Sequence, residues 1–180
     1  MPRRPVQLDG EGLYETAVKS LARRGRSEAE LRRLLGARAL VAADIDATLA
    51  RLRDHGYVDD ARLAGNLANH QREVERHGRT RALRELRARG IAPALAAAAV
   101  RRDFAGSDED ALLRAFARKK RLRRPEDMRQ AASLYRKLLL AGFSSAACQR
   151  CLRAWKLNPD WLDALESVEL PEPDPETPYE

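Results

Sequence analysis

Apolar residues recur at intervals of three and four along most of the chain. The first such face contains Tyr14, Ala17, Val18 and Leu21, and this spacing is typical of an amphipathic helix. No segment alternates apolar and polar residues over the length of a strand, and the β-branched residues number only 7 Val, 2 Ile and 4 Thr among 180 residues. Leu, Ala, Arg and Glu, which favour helices, dominate instead. The pattern therefore predicts a nearly all-helical protein.

Helix start and stop signals divide this pattern into separate helices. The helical pattern starts near Leu13, and Ser27 with Glu30 has the form of a capping box at the start of the next helix. Gly56 follows a third helix at a position suited to the left-handed backbone conformation. The chain therefore begins with a group of three short helices.

The same arrangement of residues recurs about every fifty positions. Val41, Ile91 and Phe143 each precede a third helix and are followed by apolar residues four and eight positions later. A period of this length predicts an all-α protein built from three tandem three-helix repeats that form an elongated, curved array. We expect a flexible arm at residues 1–12 and an acidic, proline-rich tail at residues 158–180. The three repeats between them are expected at residues 13–58, 59–106 and 107–157.

The net charge of +7 and the pI of about 9.9 conceal an uneven distribution. Residues 163–180 contain seven acidic residues and no Lys or Arg, which leaves +14 on residues 1–162. A basic body attracts polyanions or acidic protein surfaces, although a solvated arginine-rich surface is the alternative interpretation. The acidic tail either folds back and competes with nucleic acid or serves as a solubilising end, which deletion of residues 166–180 would test.

Three clusters of cations are the candidate partner- or DNA-binding residues, since guanidinium and ammonium groups bind phosphates and carboxylates. In the second repeat we expect an exposed cationic ridge, and the alternative is a solvated helix face. Between residues 118 and 124 we expect a run of cations that follows a nucleic acid backbone, and the alternative is a solvated helix end, where cations suit the helix dipole. The candidates are Arg23, Arg24 and Arg26, then Arg79, Arg81, Arg84 and Arg87 (with Arg89 nearby), then Arg118, Lys119, Lys120, Arg121, Arg123 and Arg124.

Residues that would carry out catalysis or hold a metal ion are sparse. There is no glycine-rich phosphate loop, and the three histidines offer few acid–base candidates. Cys148 and Cys151 form a single C-x-x-C that lacks a second pair of zinc ligands at suitable spacing, so we interpret Cys151 as a small core residue. Trp155 and Trp161 are expected to pack the last repeat, although base stacking is the alternative. We therefore predict a protein that is not an enzyme and has no metal site or cofactor.

The location and the assembly state follow from similar observations. No run of 18 apolar residues and no secretory signal is present, and two cysteines do not form a disulfide framework. We therefore expect a cytoplasmic monomer with no membrane association.

Several segments occur in the order typical of one known family. Gly56-Tyr57-Val58-Asp59-Asp60 is followed by Leu63-Ala64, and Gly78, Gly90-Ile91 and Gly142-Phe143-Ser144 come at the corresponding later positions. Together with Ala17 to Leu31, these segments resemble the RecX family over residues 13–156. Three residues depart from the family pattern. Leu63 stands where Phe is common, Arg79 where Pro is common, and Gly25 where a charged residue is common.

The resemblance implies both a fold and a function. It implies three tandem three-helix repeats, docking in the groove of the RecA–DNA filament, and inhibition of ATP hydrolysis, strand exchange and coprotease activity. Such a regulator would modulate DNA repair, DNA recombination and the SOS response. The alternatives are a helical module that binds DNA directly without a recombinase partner and, with less support, an assembly scaffold.

Overall fold

The computed structural model describes residues 7–166, which form ten α-helices, a π-helical turn and no strand. The predicted all-α class is therefore confirmed. The helices form three successive groups of three, followed by one more helix. Their bounds are α1 Gly10–Leu21, α2 Glu28–Gly36, α3 Ala42–Asp54, α4 Asp60–Asn69, α5 Arg79–Ala88, α6 Pro93–Asp103, α7 Glu109–Lys119, α8 Met128–Leu140, α9 Ser145–Ala154 and α10 Pro159–Glu166, and the π-helical turn is His70–Val74.

Side-chain caps fix where several helices begin. The side chain of Asp9 accepts a hydrogen bond from the backbone N–H of Gly12 at 2.9 Å, so α1 begins at Gly10 rather than near Leu13 as the apolar pattern indicated. The capping box of Ser27 and Glu30 is present as predicted. Gly56 has a φ of +69°, which confirms its predicted left-handed conformation at the end of α3.

The described residues form two compact units, one of residues 7–70 and 82–105 and the other of 71–81 and 106–166. In unit one, α1, α2 and α3 surround the fully buried side chains of Leu13, Leu31, Leu35, Leu49 and Leu52. Burial of one leucine side chain contributes roughly 2 kcal/mol. The predicted repeat boundaries differ from this division into two units and remain a prediction.

The residues that precede each third helix differ in their burial. Ile91 and Phe143 are buried, but Val41 is 54% exposed. Val41 is the N-cap of α3 and has an extended backbone, so its side chain lies outside the helical face that continues with the buried Ile45 and Leu49.

An ion pair within unit one joins the start of α2 to the residue that follows α5. Glu30 accepts hydrogen bonds from the backbone N–H of Ser27 at 3.0 Å and from the Arg89 guanidinium at 2.7 Å. Arg89 also donates to the carbonyl of Gly25 at 2.6 Å, and the Ser27 hydroxyl donates to the Arg89 carbonyl. Because the Glu30 and Arg89 side chains are only 11% and 15% exposed, removal of one charge leaves the other poorly solvated.

Glu30 should make the stability of the protein depend on pH in the acidic range. Burial raises the pKa of Glu30, but the hydrogen bonds from Arg89 and Ser27 and the charges of Arg89 and Arg24 outweigh burial and lower it below 4.5. A lowered pKa means that the stabilisation is present above pH 4.5 and is lost as the pH falls through the folded-state pKa. We expect Glu30→Gln to lower the free energy of unfolding at neutral pH by about 2 kcal/mol and to lose less stability on acidification than the parent.

Urea unfolding at pH 7 and at about pH 3.5 measures both effects. Glu15→Gln is the matched control because Glu15 pairs with Lys19 on an exposed face of α1. Parallel pH profiles for the parent and Glu30→Gln would contradict the expected role of the ion pair.

The core of unit two contains a chain of aromatic contacts. The ring of Phe116 lies 5.5 Å from that of Phe143 and 5.8 Å from that of His77, measured between centroids. Tyr135 is buried, and its hydroxyl lies 2.7 Å from the Ser145 hydroxyl. His77 is half-buried against this core, and its Nδ1 lies 2.7 Å from Oε1 of Gln71.

His77 should cause a second, separate pH dependence. Burial and the nearby charges of Arg81, Lys120 and Lys119 lower its pKa from 6.5 to about 4, and only Glu75 opposes them. As the pH drops below 6.5, His77 binds a proton in the unfolded chain but stays neutral in the folded chain until about pH 4. The free energy of unfolding therefore falls as the pH drops from 6.5 towards 4. We expect a slope of up to about 1 kcal/mol per pH unit in this range.

Thermal unfolding across this range, with His77→Gln beside the parent, measures the slope. His77→Gln should flatten it, whereas a Gln at the exposed His70 should leave it in place. An unchanged slope in His77→Gln would show that other groups cause the pH dependence.

Two backbone segments of unit two meet without any intervening side chain. The N–H of Gly78 donates to the carbonyl of Ala141 at 2.8 Å, and the N–H of Thr80 donates to the carbonyl of Gly142 at 3.3 Å. The end of α8 thus accepts backbone hydrogen bonds at the start of α5, as a side-chain cap would. Arg79, which stands where the RecX pattern often has Pro, is the first residue of α5, a position that Pro suits in helices generally.

The predicted terminal segments lie partly within the described residues. Within the predicted arm, the N–H of Leu8 donates to the carbonyl of Arg38 at 2.8 Å, and α1 begins at Gly10. Within the predicted tail, α10 buries Leu162 and Leu165 and packs on α8 and α9. The rest of both predictions, at residues 1–6 and 167–180, lies outside the described residues.

Candidate partner-binding surfaces

The run of cations at residues 118–124, called the basic run below, lies at the carboxyl end of α7. Asp108 caps the start of this helix, and Arg121, with a φ of +50°, turns the chain away after its end. All six cations of the basic run are exposed. Cations at this end of a helix interact favourably with its dipole. This position fits the alternative interpretation of the basic run as a helix end suited to cations.

Contacts within unit two separate these cations into two groups. Lys119 donates to the Glu75 carboxylate at 2.9 Å and to the Val74 carbonyl at 2.8 Å, and Arg124 donates to the Lys156 carbonyl at 2.8 Å. The hydrogen bond from Lys119 also lowers the pKa of Glu75. The side chains of the other four cations make no hydrogen bond or ion pair to any residue between 7 and 166, and these four are Arg118, Lys120, Arg121 and Arg123.

The cations of the second repeat do not all lie on an exposed ridge. Arg79 and Arg87 are exposed, but Arg81 and Arg84 are half-buried, and the Nε atom of Arg84 is fully buried. Arg89 is committed to its ion pair with Glu30. The expected ridge is therefore only partly exposed, because burial on α5 extends beyond the positions that the leucine spacing indicated.

The first cluster is similarly divided. Arg23 is exposed, and Arg24 donates to Glu30 at 3.2 Å. Arg26 is half-buried, and its Nε atom has no hydrogen-bond partner in the described part of the chain. This cluster therefore presents fewer accessible cations than the basic run does.

A groove of about 300 Å³, called the α7 groove below, lies in unit two beside the basic run. Arg114 and Trp155 both line this groove. Arg114 was not among the candidates from the sequence, and Trp155 was expected to pack the last repeat, with base stacking as the alternative. The spacing of Arg114, four residues before Arg118 on α7, was the sequence signal that could have identified it. The lining residues are Arg114, Ala117, Arg118, Arg121, Leu122, Cys151 and Trp155.

An ion pair lies beside the α7 groove. A smaller adjoining pocket shares Arg114, Cys151 and Trp155 with the groove and is also lined by Asp110 and Arg150. Nε and Nη2 of Arg150 each donate to the Asp110 carboxylate at 2.8 Å, and these hydrogen bonds lower the pKa of Asp110. The acidic charge at this edge is therefore already neutralised.

The two cysteines have the environment of packed thiols. Burial raises the pKa of Cys148 to about 12 and also raises that of Cys151. Both thiols are therefore protonated at neutral pH. Residues 7–166 contain no group of three or more side chains placed to hold a metal ion, and none of the helices among them is long and apolar enough to span a bilayer.

Comparisons with known proteins identify the family. A family model described as the second three-helix domain of RecX matches residues 59–100. The regulatory protein RecX of Leptothrix cholodnii is 34% identical over 137 residues, which cover 76% of this chain and 85% of that protein. The chain belongs to the RecX family. The regulatory protein RecX of Ralstonia nicotianae is 29% identical over 153 residues, covering 85% and 91% of the two chains.

Solved RecX structures share the fold. A crystal structure of regulatory protein RecX has a TM-score of 0.66 at 20% identity and covers 81% of this chain and 71% of that one. RecX from Lactobacillus salivarius has a TM-score of 0.54 at 16% identity, with 87% and 94% covered. The tandem three-helix arrangement predicted from the sequence is thus the arrangement of RecX proteins, and the family is one of regulatory proteins.

Proposed function

We propose that this protein binds the RecA–DNA filament and inhibits its ATP hydrolysis, strand exchange and coprotease activity. Membership of the RecX family supports a regulatory role, and the basic body supports a polyanionic partner. In this role the protein modulates DNA repair, DNA recombination and the SOS response.

The observation that carries the proposal is the set of exposed cations in the basic run. Four of them have no hydrogen bond or ion pair among residues 7–166, so they can bind phosphates or carboxylates without first breaking a contact there. Several weak contacts along a filament act together because each one raises the effective concentration of the next. Inhibition follows if the bound protein favours one state of the filament over another.

Binding to the assembled filament, compared with binding to naked DNA over a range of salt concentrations, tests this proposal. A filament regulator should prefer the recombinase-coated DNA. Equal affinity for naked DNA, with a steep loss of binding as salt rises, would instead support a helical module that binds DNA directly.

A further inference from the structure

The α7 groove combines two kinds of recognition group. Arg114 and Arg118 lie four residues apart on one face of α7, and Arg121, in the turn that follows the helix, lines the same groove. The single ion pair of Arg114 among the described residues is a 3.7 Å contact with Asp108, and both side chains are more than half exposed. These three guanidinium groups are therefore accessible to a ligand that carries negative charge.

The remaining lining of the groove is apolar and aromatic. Ala117, Leu122 and Cys151 contribute small or apolar side chains, and Trp155 contributes a partly exposed indole ring. The Cys151 thiol is protonated and so carries no charge that would repel an anion. A flat aromatic group can therefore lie against Trp155 while its anionic part reaches the arginines.

We propose that the α7 groove binds a nucleotide, with the base against Trp155 and the phosphate against the three arginines. Guanidinium groups bind phosphate with paired, charge-assisted hydrogen bonds, and every base presents a π-face to an aromatic ring. The nucleotide is either a free nucleotide or one unit of a single strand, since both offer the same chemistry.

An acidic peptide explains the groove less well. Carboxylates would use the arginines, but they would gain nothing from the indole of Trp155. A base with an attached phosphate uses both parts of the groove.

The proposal goes beyond filament binding and does not depend on it. Arg118 and Arg121 also belong to the basic run, but nucleotide binding needs no recombinase and is measured on the protein alone. A failure here would leave the filament proposal intact, and a failure of filament binding would leave this one intact.

Quenching of Trp155 fluorescence tests the groove. The chain has two tryptophans, so the full-length Trp161→Phe variant leaves Trp155 as the reporter. ADP and an oligothymidylate of about eight nucleotides are the probes. We expect saturable quenching, and we expect Arg118→Glu with Arg121→Glu to weaken binding by at least about tenfold.

The matched control carries Arg129→Glu and Arg136→Glu on α8. Both residues are exposed, neither lines the groove, and the change in net charge is the same. Quenching by ADP with no gain for the oligonucleotide would support a free nucleotide, and tighter binding of the oligonucleotide would support a strand.

Three results would overturn the proposal. The first is that neither probe quenches Trp155 at low salt. The second is that both charge-reversed pairs lose binding equally, which would indicate a general attraction between charges. The third is that an oligoglutamate peptide displaces ADP and the oligonucleotide as effectively as they displace each other, which would show that the base contributes nothing.

Discussion

Replacement of Gly78 by Ala should lower the free energy of unfolding by about 3 kcal/mol, the upper end of the usual range for overpacking. A Cβ atom at this position would lie 2.1 Å from the carbonyl oxygen of Gly142 and 2.6 Å from the backbone nitrogen of Phe143. These are backbone atoms, so no side chain can rotate away, and α5 must separate from the turn after α8. The hydrogen bonds from Gly78 to Ala141 and from Thr80 to Gly142 would lengthen with that movement.

Urea denaturation of the parent and two variants measures this effect. Gly106→Ala is the control in the same unit, because Gly106 has a φ of +70° but no atom lies within 4 Å of its added Cβ. Its destabilisation should be limited to the left-handed backbone, at about 1 kcal/mol. If Gly78→Ala were no more harmful than Gly106→Ala, the close approach of the two backbone segments would be wrong.

Reversal of two charges in the basic run should raise the concentration of protein that half-inhibits RecA by at least about tenfold. The appropriate pair is Lys120→Glu with Arg123→Glu. Both side chains are exposed and make no hydrogen bond or ion pair within residues 7–166, so their replacement breaks no such contact in the described part of unit two. Neither residue lines the α7 groove, so the effect reports on the basic run alone.

The choice of residues and the control make this result specific. Lys119 and Arg124 are avoided because their contacts with Glu75 and Lys156 stabilise unit two. Arg129→Glu with Arg136→Glu again changes the net charge equally, at positions on α8 outside the basic run. Inhibition by the Lys120 and Arg123 variant that matches the parent would remove the basic run from the filament-binding surface.

Local features of this fold could be predicted from the sequence because each depends on neighbouring residues. The capping box at Ser27 and Glu30 lies within four residues, and the left-handed turn at Gly56 needs only the absence of a side chain. Alanine favours helices but buries little area, and the fully buried Ala64, Ala68 and Ala96 lie on α4 and α6, which pack together.

Contacts between residues distant in sequence could not be predicted in this way. Glu30 serves its predicted capping box and also pairs with Arg89, 59 residues later, and no local pattern indicates that second partner. The groove that brings Arg114 and Trp155 together could not be predicted for the same reason, since Arg114 lies on α7 and Trp155 follows the end of α9. The sequence shows where cations cluster, and tertiary packing determines which of them are accessible.

The most direct test of the central claim is the rate of DNA-dependent ATP hydrolysis by RecA, measured while the protein is added in substoichiometric amounts. We predict strong inhibition without a matching affinity for naked DNA. An unchanged rate of hydrolysis, together with tight and salt-sensitive binding to DNA alone, would contradict the proposal that the protein regulates the recombinase filament.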